Sequence, residues 1–416
     1  MDRKEQVATT SNLHSSHLQL GRSTVMSRYL TFLFAIACGV AVASIYFAHP
    51  LLTAISDDFK IQHSIIGAVI SITQICYALG LLFLVPLGDL INPRKLIIVQ
   101  MLLLVLALFF IGISPTSTFL FIGMAIVGFL ATVTQTLVAF ASTLSKPTER
   151  GRIVGLVTSG VVIGILLART FAGILTDLGG WRSVYLTAAA ILFLIICLLY
   201  RKLPNYRNKQ PYLSYPHLLH TVFLLFVQER ILWIRGILGF FIFTSFSILW
   251  TSLVLPLSAA PYHLSHTAIG AFGIAGVAGA LAAMKAGNLA DKGKGQRTTG
   301  IGLFLLLISW IPISMINYSL FLLVIGVIVL DLAVQAIHVT NQSIIFTVRP
   351  EARSRLTAAY MIFYSIGSAS GAIFSTYVYA KYGWNGVCIL GATISGIALL
   401  FWAITFCKAD HQKGGV

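Results

Sequence analysis

Charge is what this sequence has least of. Only 10% of its 416 residues are Asp, Glu, Lys or Arg, and the two acids together number 12. Soluble domains carry about 25% charged residues, so a water-facing fold of this length is excluded. The intervals between apolar runs are too short for a soluble domain. The five cysteines (Cys38, Cys76, Cys197, Cys388 and Cys407) lie singly in apolar segments. They offer neither metal spacing nor a pair outside the membrane, and they read as small packing residues. A Ser/His/Asp set, a zinc spacing and a dinucleotide fingerprint are all missing. No catalytic residue, metal or cofactor is therefore expected, and no enzyme. The "GKG" at 293–295 has the wrong spacing for a phosphate loop, and Gly295 stands where Ser or Thr would hold Mg²⁺.

Apolar residues make up 57% of the chain, and its mean hydropathy is +0.90. A bilayer core takes about 20 apolar residues per helix. That window divides the chain into twelve segments: 29–48, 65–86, 96–114, 118–143, 153–175, 183–200, 231–257, 267–286, 299–315, 319–346, 357–379 and 385–406. Long unbroken runs, rather than ten-residue alternating strands, exclude a membrane β-barrel and predict an all-α membrane protein. Residues 1–28 are polar and are expected to be a disordered cytoplasmic tail, and 408–416 are expected to be a cytoplasmic tail at the other end. "AVAS" at 41–44 mimics a signal-peptidase site, but its apolar run starts late and is long, so cleavage is not expected.

The net charge of +16 is distributed by side. With a cytoplasmic N-terminus, the alternate loops facing that side hold 24 of the 28 Lys and Arg, Arg235 counted among them. The opposite side has Lys60, Arg182 and Lys381, and Arg169 lies inside a helix. This split predicts a multi-pass protein of the cytoplasmic (inner) membrane with both termini cytoplasmic. The basicity is then a topology signal and an attraction to anionic membrane lipid, and no nucleic-acid partner is expected.

The chain is written twice. "QHSIIGAV" at 62–69 matches "SHTAIGAF" at 265–272, "TERGRIVG" at 148–155 matches "EARSRLTA" at 351–358, and "GW" at 180–181 matches "GW" at 383–384, each at an offset of 203. Asp89 matches Asp291 at 202. A six-helix unit is duplicated, with 29–200 the first bundle, 201–230 a basic linker and 231–407 the second bundle. The second part of the linker is expected to be an amphipathic helix on the cytoplasmic surface. Ser64 and Thr267 read as N-caps of the second helix in each half. Six helices per half give parallel repeats around a central site, which can open to either side as the halves rock.

The loop "GDLINPRK" at 88–95 and its counterpart "GNLADKGKGQR" at 287–297 each put a carboxylate before cations: Asp89 before Arg94 and Lys95, and Asp291 before Lys292, Lys294 and Arg297. This resembles the loop between helices two and three of the major facilitator superfamily. The first copy differs in having Pro93 where Gly is usual and no base directly after Asp89. The resemblance implies a charge latch that shuts the cytoplasmic side. The Gly-rich fifth helix, 155–182, looks like that of drug-exporting branches, though without the usual Gly-Pro pair. "DLAVQAIHVTNQ" followed by "EARSRL" is similar to a branch of bacterial predicted efflux permeases. The resemblance covers about residues 29–407. It implies a secondary transporter that moves a small organic molecule by alternating access, with helices one, four, seven and ten lining the cavity, and a monomer as the working unit.

The tenth segment carries the most informative residues. Asp331 lies about 18 Å from its outer start, near the bilayer midplane, at 1.5 Å per residue. At 100° per residue, Asp331, Gln335, His338 and Gln342 share one face, with Asn341 at its edge. A carboxylate facing lipid costs several kcal/mol, so this stripe must face a partner helix or a watered cavity. Burial lets either ionisable group change charge, which makes Asp331 the candidate proton carrier and His338 its relay. By the 203 offset, helix four offers Gln135 opposite His338. Tyr46 and Trp250 are further cavity candidates, with His49, Gln74, Tyr77, Tyr360 and Tyr364 behind them.

Arg169 lies about 24 Å from the cytoplasmic start of its helix. Three readings stand open for it: snorkelling to the outer interface, an outer-gate ion pair with Asp57 or Asp58, and contact with an anionic substrate. Proton-coupled export by antiport is the leading expectation. Symport uptake of a nutrient or anionic metabolite is the alternative, and a receptor or enzyme is the alternative of another class.

Overall fold

The computed structural model describes residues 26–146, 149–204, 215–276, 289, 294–348 and 353–413. Among the described residues, nine helical stretches are long and apolar enough to cross a membrane. The spans are α1 (Arg28–Tyr46), α2 (Ala68–Phe83), α3 (Pro93–Gly112), α4 (Ser117–Leu130, resumed at Val133–Leu144), α5 (Arg150–Gly179) and α6 (Trp181–Lys202) in the first half. In the second half they are α7 (Arg230–Ser252), α8 (described at its start, His266–Ala271), α9 (Gly295–Ser314), α10 (Leu320–Val348), and one continuous stretch, Arg353–Lys413. That stretch is broken at Gly383, which separates α11 (353–382) from α12 (384–413). With the shorter α2 and the partly described α8, the fold has twelve spanning helices. In lipid, a spanning backbone must satisfy its own N–H and C=O groups, and a helix does so within one segment.

Helix starts follow local chemistry. Ser27 Oγ accepts from the Leu30 N–H at 3.2 Å, and Asn92 Oδ1 from the Arg94 N–H at 3.0 Å with Pro93 at the first helical position. The expected caps of the second helix in each half are corrected. Ser265, not Thr267, caps α8 by accepting from Ala268 N–H at 3.2 Å, and α2 begins at Ala68 after a turn that contains Ser64. The N-cap stands two residues earlier than predicted because Thr267 is already inside the first helical turn.

The duplication is visible in contacts. Gly180 and Gly383 both take positive φ, 76° and 64°, at the sharp turns between α5 and α6 and between α11 and α12. No β-carbon is tolerated well there, so glycine recurs at both copies. At the α2–α11 crossing, a Cβ on Gly67 would run into the Ala372 carbonyl; at the α5–α8 crossing, a Cβ on Gly270 would run into the Arg169 carbonyl. Each partner of the second pair is displaced by 203 from its image in the first. Small residues let backbones meet, as membrane helix packing requires.

These two crossings join the halves. At the end remote from the chain termini they are also hydrogen-bonded: Thr376 Oγ1 donates to the Ser64 carbonyl (3.3 Å) and Ser71 Oγ to the Ala369 carbonyl (2.6 Å) on one seam, and Thr170 Oγ1 to the Gly270 carbonyl (3.0 Å) on the other. The linker forms a helix over Tyr215–Gln228. Its Tyr215 hydroxyl donates to the Phe83 carbonyl of α2 (2.9 Å), while Leu225 packs with Leu356, Ala359 and Tyr360 of α11. It therefore braces α2 and α11 together, instead of merely lying on a surface.

Candidate functional site

Asp331 sits on α10 with only 3% of its surface exposed. Its Oδ1 accepts a hydrogen bond from Trp250 Nε1 of α7 at 3.0 Å. The face of the same indole carries the Arg169 guanidinium of α5, 3.7 Å from a ring centroid. Phe246 and Tyr46 place further ring faces at 5.3 Å and 5.6 Å from Arg169. These are cation–π distances. Trp250 thus carries a cation of the first half on its ring face and a carboxylate of the second at its edge. Arg169 and Asp331 interact electrostatically, yet they make no ion pair within 4.0 Å among the described residues. Arg169 is 2% exposed, and its Nε and Nη2 have no hydrogen-bond partner.

Two readings of Arg169 are corrected. It does not snorkel, because α5 turns it inward beneath Gly270 of α8 and Gly273 in the short 3-10 helix that follows it. It does not pair with Asp57 or Asp58. Asp58 is taken by Arg182 at 2.6 Å and by Trp181 Nε1 at 3.2 Å, and Asp57 is exposed.

The tenth-helix stripe divides between partners. His338 Nδ1 is hydrogen-bonded to the Tyr360 hydroxyl at 3.1 Å, and its ring meets Phe243 edge-on at 5.1 Å. Tyr364, 4.0 Å from Phe243 between ring centroids, is hydrogen-bonded through its hydroxyl to that of Tyr46 on α1. Asn341, placed at the edge of the stripe by the helical wheel, is fully buried: its Oδ1 accepts from Arg235 Nη1 at 3.3 Å, and its Nδ2 donates to the Arg235 carbonyl at 3.4 Å. Arg235 Nη1 also donates to Thr299 Oγ1 at 3.1 Å. Arg235 was counted among the loop cations; it is in fact a buried residue of α7. Gln335 and Gln342 are half-buried on α10, and Gln135 lies against Tyr77. Gln74 is wholly buried with both amide atoms unpartnered. Tyr46, Trp250, Arg169, Asp331, His338, Tyr360 and Tyr364 thus belong to one aromatic and polar chain running between the halves.

The loop residues are less gathered. Arg94 Nη2 donates to the Tyr200 carbonyl at the end of α6 (2.8 Å), while Lys95 and Arg297 are exposed. Asp89 lies in the short helix Leu87–Leu90, and Asp291 and Lys292 fall outside the described residues. A groove of about 890 Å³ lies between α1, α5 and α6, bordered by Arg28 and Arg152. It is lined chiefly by apolar side chains and includes neither Arg169 nor Asp331.

Sequence reasoning missed three residues at the junction. Asp177, in the last turns of α5, accepts hydrogen bonds from the backbone N–H groups at the start of α8. Its signal was an acid at a helix C-terminus, where the macrodipole disfavours one unless a partner compensates. Phe243 and Phe246 carried no signal, since aromatic residues in an apolar run look alike whichever way they face.

Twelve helical spans in two halves related by a 203-residue offset, meeting around a buried polar cluster, define the architecture of a secondary membrane transporter. The model of the Major Facilitator Superfamily matches residues 32–308 and 235–415, and the chain belongs to that family. It is 46% identical over 377 residues to the transporter YgaY of Escherichia coli O157:H7, covering 91% of this chain and 95% of the relative. It is 29% identical over 364 residues to the inner membrane transport protein YnfM of Escherichia coli K12, covering 86% of each. Among solved structures, a bacterial homolog of the human lysosomal transporter Spinster, inward-facing and occupied, superposes with a TM-score of 0.74 at 14% identity, covering 90% of this chain and 96% of that one. The nucleoside transporter NupG superposes with a TM-score of 0.67 at 15% identity, covering 90% and 100%. At these identities the likeness concerns the fold.

Proposed function

We propose that this protein moves a small organic molecule across the cytoplasmic (inner) membrane by proton-coupled alternating access, with Asp331 as the proton site. The observation that carries the reading is the Arg169–Trp250–Asp331 arrangement, in which two charges of opposite sign from opposite halves share one indole. Neutralising Asp331 removes its attraction for Arg169 and weakens the Trp250 hydrogen bond, so a proton changes how firmly the halves are held together. His338 tunes the cavity through Tyr360. Both termini face the cytoplasm, as the distribution of Lys and Arg supports. The hydrogen-bonded end of the seams is then the outer one, and the state described is closed to the outside. The bundles 29–200 and 231–407 are the rocking units of a monomer, with 201–230 tying them together.

Export in exchange for protons is the sense that the likeness to efflux permeases implies. A second reading, proton–anion symport, is favoured by the unpartnered Arg169 fork. The test common to both is Asp331→Asn in proteoliposomes. A pH gradient should no longer drive accumulation, while exchange of labelled for unlabelled cargo persists. Gradient-driven transport equal to wild type would refute the proposal.

A further inference from the structure

A buried guanidinium with two idle donors is costly. Charged groups taken out of water are tolerated only when paired and hydrogen-bonded. Arg169 has neither form of relief on one edge, because Nε and Nη2 both lack acceptors. These two nitrogens point in the same direction and form the side-on fork that matches a carboxylate's two oxygens. Asp331 does not fill that fork: it is held by Trp250 Nε1, and it makes no ion pair with Arg169.

Packing does not explain the arginine either. Its image in the second half is Ala372, which supports the same glycine–carbonyl crossing with a methyl group. The repeat thus shows that this seam closes without a cation, and the first half carries one in addition. Around the guanidinium stand the rings of Trp250, Phe246 and Tyr46, so a molecule whose anion reaches the fork meets them with an apolar or aromatic body. Beside it run Gly270 and Gly273 of the α8 seam, so parting that seam uncovers the fork and the rings together.

We infer that Arg169 is the capture point for the carboxylate of an organic acid with an apolar or aromatic body, and that this acid binds together with a proton at Asp331. The inference rests on the second, symport form of the transport reading and gives it a substrate class. A negative Asp331 repels the incoming anion and competes for Arg169; a neutral one does neither. Proton and anion then travel in the same direction.

The test uses purified full-length protein in detergent, with benzoate, 2-naphthoate and octanoate as probes, each set against the carboxamide of the same skeleton, by isothermal titration. At least one carboxylate should bind about tenfold or more tightly than its amide, the size of effect expected of a bidentate charged contact. Arg169→Gln should abolish that preference, and Arg169→Lys should restore only part of it, since an ammonium lacks the fork. Both variants must elute as folded monodisperse protein, and an unfolded Arg169→Gln leaves Arg169→Lys to decide. Asp331→Asn should tighten carboxylate binding severalfold. No carboxylate preference, or a preference that survives Arg169→Gln, overturns the anion site. Unchanged or weaker binding in Asp331→Asn overturns the joint binding. If the Arg169-dependent preference holds while Asp331→Asn still transports on a pH gradient, the anion site stands and the proton reading is what fails.

Discussion

The Asp177 carboxylate of α5 caps the first turn of α8, accepting from the His266 N–H at 3.1 Å and the Thr267 N–H at 2.8 Å, with the His266 ring nitrogen Nδ1 also at 3.1 Å. A side chain of one half thus satisfies backbone donors of the other, which a helix start otherwise leaves to water. This latch holds the end of the molecule remote from the termini.

Removing it should favour the state open at that end. A charged N-cap contributes about 1 kcal/mol, or roughly fivefold in a two-state population. Asp177→Ala should therefore raise the labelling rate of a single cysteine placed at Ala268, read with an impermeant maleimide, by about that factor. An unchanged rate would show that the cap does not restrain opening.

The glycine crossings should be less forgiving. Gly270→Val forces a branched side chain against the Arg169 backbone, which cannot swing away as a flexible side-chain tip can. Transport should be lost while the protein remains folded, with the Ala268 position permanently reactive. Gly155→Ala, where no atom stands near the missing Cβ, should be silent in the same assays.

Trp250 has two separable duties. Trp250→Phe keeps a ring face for Arg169 but gives up the N–H to Asp331, whereas Trp250→Leu gives up both. Transport rates across a pH series should shift along the pH axis in Trp250→Phe, with cargo affinity little changed. Trp250→Leu should also lose affinity. Identical behaviour of the two variants would contradict this division.

The Arg235–Asn341 pair predicts a stability effect. Asn341→Leu leaves a buried guanidinium with one polar contact fewer, Thr299 remaining, and should cost about 3 kcal/mol, toward the lower end of what breaking a buried charge's contacts costs. Thermal unfolding of the purified variant followed by fluorescence is the measurement, and a melting temperature within a degree of wild type would contradict it.

Much of this was legible in the chain. A lone acid in the middle of an apolar run can hardly escape notice, and the recurrent Gly-Trp pair marked the repeat, though not the turns that Gly180 and Gly383 make. What was not legible depended on partners far apart in sequence. Nothing near Arg169 says that an indole 81 residues further on will stack against it, and nothing near Asp58 says that Arg182 will claim it. Arg235 was misplaced because a cation five residues inside a helix end looks like an interfacial anchor until Thr299 and Asn341 are seen around it. Asp177 was readable in principle, since its helix end repels it, but the compensating donors come from the other half of the chain.

The central claim is that Asp331 exchanges a proton as cargo binds. The direct measurement is proton exchange with a weakly buffered solution when the best-bound carboxylate probe is added to purified protein. In the symport form wild type should take up at most one proton per bound anion around the pH where transport is steepest, whereas antiport would release one, and Asp331→Asn should exchange none while still binding the probe. Equal proton uptake by the two proteins would contradict the account.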